Sequence, residues 1–291
     1  MVCGGNSNFL MCNKESYKEN YIKIRGQENN LATDYSMSRM IVVLSTKCSL
    51  RCRDCNNLIP LFNSKSDLNT DKIISSLKNI LNVIDSIYRL ELIGGEPFLA
   101  SNLEDVLQFV LRQEKIVTVE MTTNGTIIPK ESLIPLLQNE KVKICISDYN
   151  DIVDCKNIIE FCKKHDLRYQ VLHIKQWINS GGIMKRFRSI EQLKHQYLSC
   201  QSSYFCKTLF EDKLFQCARA SSLYAINVCN DINGYLKVDS SLSKERLFNF
   251  ILGDNNPACD YCNTATSEGF QVVPAIQEGD GKDESKRYTQ I

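Results

Sequence analysis

Three cysteines fall within eight residues, in the stretch Cys48-Ser-Leu-Arg-Cys52-Arg-Asp-Cys55, and no other cysteine follows until Cys145. Thiolates are soft ligands that suit iron–sulfur clusters and zinc. A closed electron-transfer cubane takes four of them. Three leave one iron of a [4Fe–4S] cubane with an open coordination position, which a cluster needs if it is to bind and reduce something. The zinc alternative joins Cys52-x2-Cys55 to Cys259-x2-Cys262 as an all-cysteine site and leaves Cys48 spare. A second set, Cys200, Cys206, Cys217, Cys259 and Cys262, also reads as metal or cluster ligands. Cys145 and Cys162 sit in apolar stretches and read as small buried hydrophobes, while Cys3, Cys12, Cys155 and Cys229 have no ligand spacing.

The elements that must position these residues alternate. Apolar, β-branched runs at Met40–Leu44, Leu90–Ile93, Val117–Met121, Val142–Ile146 and Tyr169–Leu172 suit strands of a parallel sheet buried on both faces. Between them Ile73, Ile74, Leu77, Ile80, Leu81 and Ile84 recur at helical spacing after Thr70, the expected N-cap. Further helices are predicted at Leu103–Leu111, Ser132–Leu137 and Asp154–Cys162. The alternation indicates βαβ units, in a sheet that is either open and doubly wound or a closed or partial barrel. The cysteine loop follows the first strand, Gly94-Gly95-Glu96-Pro97 the second, Thr122-Thr123-Asn124-Gly125 the third, Ser147-Asp148 the fourth and His173 the fifth. All emerge at the carboxyl ends of strands, where parallel α/β proteins build their sites.

The C-x3-C-x2-C spacing of CSLRCRDC, joined to GGEP at the next strand end, resembles the radical S-adenosylmethionine (AdoMet) superfamily over residues 40–175. That resemblance implies a partial (β/α)6 TIM-type barrel, with Cys48, Cys52 and Cys55 holding a [4Fe–4S] cluster that chelates AdoMet. It implies AdoMet contacts from Gly94, Gly95, Glu96 and Pro97, with Glu96 on the methionine ammonium. Thr122, Thr123 and Asn124 would take the carboxylate, and Ser147 or Asp148 the ribose; strand-end capping or a turn is the other reading of these five. Reductive cleavage to a 5′-deoxyadenosyl radical and hydrogen abstraction would follow, with a one-electron donor such as flavodoxin or ferredoxin. The residue before the third cysteine is commonly aromatic in the family and is Asp54 here.

The later cysteines resemble the twitch extension of such enzymes, in which four thiolates enclose an auxiliary [4Fe–4S] cluster, as in 2-deoxy-scyllo-inosamine dehydrogenases. Cys200 and Cys206 compete for the first ligand position beside Cys217, Cys259 and Cys262, and zinc is again the rival metal. The domain reading is an N-terminal extension over 1–38, a barrel core over 39–175, a basic connector over 176–199, a small α+β cluster-binding extension over 200–262 and a disordered tail over 263–291. The stretch KTLFEDKLFQ reads as a hairpin turning at Glu-Asp.

Lys plus Arg number 35 against 34 Asp plus Glu, so nothing points to a nucleic-acid partner or an acidic membrane surface. The longest aliphatic block, Met40–Leu44, is far short of a bilayer span, and no signal peptide is read, so a cytoplasmic protein is expected. The resulting expectation is a radical AdoMet oxidoreductase that dehydrogenates or epimerises a small polar substrate, such as a sugar or aminocyclitol. Trp177, Lys185, Arg186 and Arg188 of the connector are candidates to face it, against the alternative of a solvated charged face. Peptide modification is the second expectation, and a zinc-stabilised binding protein the third.

Overall fold

The computed structural model describes residues 35–149, 152–265 and 269–278. The chain alternates β1 (Ser36–Val43), α1 (Thr70–Val83), β2 (Ser86–Ile93), α2 (Leu103–Leu111), β3 (Ile116–Thr123), α3 (Ile134–Leu137), β4 (Val142–Asp148), α4 (Lys156–Lys164) and β5 (Tyr169–His173). A short β6 (Trp177–Ile178) leads through the connector to α5 (Ile190–Leu198), α6 (Gln201–Phe205), β7 (Thr208–Phe210), β8 (Lys213–Phe215) and α7 (Ala218–Ala225). The remaining elements are β9 (Tyr235–Lys237), α8 (Lys244–Ile251) and β10 (Gln271–Val272).

One sheet runs β5-β4-β3-β2-β1-β7-β8-β9. Strands β1 to β5 are parallel, and β7 adds a sixth parallel strand beside β1. The sheet is therefore an open, largely parallel α/β sheet of the partial-barrel kind. The hairpin β7–β8 turns through Glu211 and Asp212, with Glu211 in the left-handed region, and β9 continues the antiparallel edge. No helix among the described residues is long and apolar enough to cross a membrane.

The period-two pattern of the strands places Met40, Val42, Leu90, Leu92, Val119, Met121, Ile144 and Ile146 in one hydrophobic core with Ile73, Leu77, Val106 and Ile158 of the helices. The opposite face departs from the apolar reading. There Arg39 pairs with Glu91, and Glu120 takes Lys143 at 2.5 Å and Arg89 at 3.7 Å. Glu91 is 2% exposed; burial alone would raise its pKa, but Arg39 and Thr122 hold it below the usual carboxylate range. A buried charge is tolerated because it is paired and hydrogen-bonded.

Local corrections are small. The cap of α1 is Asn69, whose Oδ1 accepts from Lys72 N at 2.9 Å, not Thr70. Strands β3 and β4 run on through Thr123 and Asp148, so the polar residues expected after them belong to the strand ends. Residues 269–278, expected within a disordered tail, are partly ordered: β10 pairs antiparallel with β6, and Ala275 is fully buried.

Candidate metal and cofactor site

The loop after β1 is held by the next strand. Gly95 N donates to Ser45 O (2.9 Å) and Glu96 N to Lys47 O (2.8 Å), extending the β1–β2 ladder beneath Cys48. The approach demands glycine: a Cβ on Gly95 would lie 2.3 Å from Lys47 O and 2.6 Å from Cys48 Cβ. Thr46 N bonds Ser66 O at 2.9 Å, and Lys47 Nζ pairs with Asp67 at 2.7 Å. Within the loop Cys55 N returns to Cys52 O, and Leu58 adopts a left-handed turn with φ 53.

The three thiols are brought together. Burial pushes Cys48 up to about 11 and Cys52 up to about 12, and the nearby Cys55 thiol adds to both. Leu50 N (3.4 Å) and Asn124 Nδ2 (3.6 Å) donate to Cys48 Sγ, and Gln277 Nε2 (3.5 Å) donates to Cys52 Sγ. That last contact belongs to a strap the sequence reading missed. Arg53 N bonds Ile276 O and Glu278 N bonds Arg51 O, both at 2.8 Å, so the chain end ties down the cysteine loop.

The expected AdoMet residues divide. Gly94, Gly95, Thr122, Thr123, Asn124 and Ser147 line the same cavity as the three cysteines. Glu96, Pro97 and Asp148 do not line it. Glu96 is fully buried and its carboxylate accepts from Thr123 Oγ1 (2.8 Å), Asn124 N (2.9 Å) and Phe98 N (3.2 Å). Burial raises it to about 7 against these three donors. It is thus turned into the protein as a tie between two strand ends, not outward toward an ammonium, because a carboxylate without solvent must find donors. Asp148 is engaged by His173 Nδ1 at 2.7 Å.

The later cysteines also come together in the fold. Burial pushes Cys200 up to about 12, followed by Cys262 and Cys217; burial also raises Cys259, followed by Cys200, Cys262 and Cys217. Cys206, 3% exposed, packs in the main hydrophobic core and also lines the cavity that these four share. Cys217 caps α7, receiving Ala220 N at 3.4 Å. Cys259 lies within a tight helical turn, Pro257–Tyr261, which Asn256 caps at its start and Cys262 ends. Arg188 Nη1 donates to Cys259 O (3.0 Å), Arg188 N to Asp260 (2.8 Å) and Gln196 Nε2 to Cys262 O.

Both sets line a single cavity of about 650 Å³. The zinc pairing of Cys52/Cys55 with Cys259/Cys262 is not what the fold assembles, since each pair sits with its own partners. Among the described residues, no three His, Cys, Asp or Glu side chains close around one point at single-ion distance. Eight cysteines line this cavity, Cys206 among them, and thiolates in such number suit iron–sulfur clusters.

The comparisons agree with this geometry. Residues 38–156 match the family "4Fe-4S single cluster domain". The matched residues include the CSLRCRDC and GGEP motifs. The chain is 32% identical over 103 residues to molybdenum cofactor biosynthesis protein 1 of Homo sapiens, across 35% of this chain and 16% of that protein. It is 34% identical over 112 residues to the antilisterial bacteriocin subtilosin biosynthesis protein AlbA of Bacillus subtilis, across 38% and 23%. The chain thus spans less than a third of the length of these two relatives. Among solved structures, BtrN in complex with AdoMet and 2-DOIA superposes with a TM-score of 0.50 at 15% identity, covering 78% of this chain and 93% of that one.

Around the cysteine loops the fold adds residues that the motifs did not reveal. Tyr149 and Trp177 line the cavity and meet edge to face at 5.5 Å. Tyr149 is pushed up by burial and by the three nearby thiols. Gln196 and Arg219, buried in helices, line it too. Lys185, Arg186 and Arg188 do not: Arg186 bonds Gly181 O at 2.6 Å, and Arg188 holds the Cys259 turn.

Proposed function

We propose that the protein is a radical AdoMet oxidoreductase with two cysteine-bound [4Fe–4S] clusters, acting on a small polar molecule of the sugar or aminocyclitol class. The observation that carries this reading is that the three-thiol and four-thiol sets face one cavity. When bound, the first cluster with AdoMet supplies hydrogen-atom abstraction, and the second supplies a one-electron acceptor. Cys48, Cys52 and Cys55 would ligate the first, with Asn124 and Gln277 donating to its sulfurs. Thr122, Asn124 and Ser147 would meet the polar groups of AdoMet, and Glu96 would keep Thr123 and Asn124 in place rather than touch the cofactor. Cys200, Cys217, Cys259 and Cys262 would enclose the second.

Removing two electrons and two protons from an alcohol carbon gives a carbonyl, and two such sites match that change. The substrate class rests on the neutral hydroxyl and amide side chains of the lining, among them Asn57, Ser147, Gln176, Ser180 and Gln196. Apart from the cysteines, its charged members are Asp54 and Arg219. Asp54 already takes Arg53 at 3.1 Å and Asn179 at 2.9 Å. The likeness to AlbA favours peptide modification as a second reading. Reductant would come from a flavodoxin- or ferredoxin-type donor.

Anaerobically reconstituted protein should hold about eight irons per chain, falling to about four when Cys48, Cys52 and Cys55 are all changed to Ala. With dithionite, AdoMet and a deuterated polyol panel, label should pass to 5′-deoxyadenosine. Label transfer only from peptide substrates would move the assignment to the second reading. Stoichiometric zinc with little iron would overturn both.

A further inference from the structure

Arg219 has no role in the reading so far, yet it lines the cavity that the two sites share. It is the second residue of α7, directly after the cap Cys217, and it is 4% exposed. Its Nη2 donates to Gly182 O and, at 3.4 Å, to Tyr261 O inside the Cys259–Cys262 turn. Its Nε is buried with no hydrogen-bond partner among the described residues. Among the described residues it is the one cationic side chain in the cavity wall, and no carboxylate there pairs with it. Cys55 of the first set and Cys217 of the second line the same cavity.

A guanidinium cannot shed its proton, so a buried and unpaired one is costly unless anions stand nearby. The anions that the fold places around it are the thiolates of the two sites. A cubane with three or four thiolates is net negative, and reduction makes it more so. A fixed cation close to both therefore favours the reduced form of each.

We propose that Arg219 is a shared electrostatic anchor, one buried guanidinium that stabilises the reduced state at both cysteine sites and so ties their potentials together. This rests on the two-cluster reading. The orphaned Nε–H supplies the geometric reason, since it has a donor to give to a sulfur of a bound group. A purely structural role, stapling the Gly182 and Tyr261 carbonyls, would be served by the same position without any effect on potential.

The test is redox titration, monitored by electron paramagnetic resonance, of anaerobically reconstituted wild type, Arg219→Met and Arg219→Lys, without substrate. Arg219→Met should lower both midpoint potentials enough to cut the reduced fraction about tenfold at fixed potential, about 59 mV for a one-electron couple. Arg219→Lys keeps the charge and should stay within about threefold of wild type. A shift at one site only, or at neither, overturns the proposal. Iron retained by Arg219→Lys and lost by Arg219→Met supports it; iron lost by both overturns it in favour of the staple. Wild type holding about four irons would remove the two-cluster reading itself, whereas about eight irons with unmoved potentials removes only the role of Arg219.

Discussion

The two cysteine sites are built in opposite ways. The first lies in one eight-residue stretch, and its geometry comes from a strand ladder: β1 and β2 pair in parallel, and the pairing continues into the loop through Gly95 and Glu96. The second draws its four thiols from the start of α6, the cap of α7 and the turn before Cys262, held by side chains of Arg188, Gln196 and Asn256. A ladder of backbone bonds specifies position almost regardless of side chain. A site assembled from helix caps and turns depends on particular polar groups, each contributing about a kcal/mol. The first should therefore break by backbone intrusion, the second by loss of ligands or their holders.

The largest effect is expected at the ladder. Gly95→Ala would place a methyl 2.3 Å from a backbone carbonyl and 2.6 Å from Cys48 Cβ, with no flexible group to give way. The variant should keep its far-ultraviolet circular dichroism yet bind about half the iron and make no 5′-deoxyadenosine. Full loading of Gly95→Ala would mean that the loop is not set by the ladder.

Next comes Cys259→Ala/Cys262→Ala. If folded, it should cleave AdoMet with reductant while forming little oxidised product. Cluster ligation also supplies folding free energy, so secondary structure must be checked first. Undiminished product would make the second site structural and the reaction redox-neutral, such as epimerisation.

Within that site, Cys200→Ala should lose the second cluster. Cys206→Ala should keep it and cost only core packing, on the order of 1 kcal/mol for a small buried side chain. The opposite result, read by iron content and thermal midpoint, would exchange the two residues.

The smallest effect lies at the rim of the first loop. Burial acts to raise the Asp67 pKa, but Lys47 and Ser101 outweigh it and hold the carboxyl at about 2. A depressed folded pKa stabilises above the unfolded value near 4 and is lost as pH falls toward 2. Asp67→Asn should flatten the stability profile in that window, and an unchanged acid limb in chemical denaturation would show the Lys47 contact to be energetically silent.

By itself the sequence determined the local units: the CSLRCRDC and GGEP motifs, the strand–helix alternation, the Glu-Asp hairpin turn and the candidate ligands after residue 199. Each rests on spacing within one element or its end, where periodicity and ligand type are read directly. The charged layer of Arg39, Glu91, Glu120 and Lys143 was not legible, since an apolar run conceals which of its few polar residues will find partners on neighbouring strands. Spacing left Cys200 and Cys206 open, and the fold parts them only by packing: both line the cavity, and Cys206 also sits in the main core. The tertiary structure alone turned Glu96 inward, brought Gln277 back across 225 residues to Cys52, and set Arg219 in the wall of the cavity that both thiol sets line. Such pairings arise when buried polar groups seek partners in three dimensions, and spacing along the chain carries no record of that search.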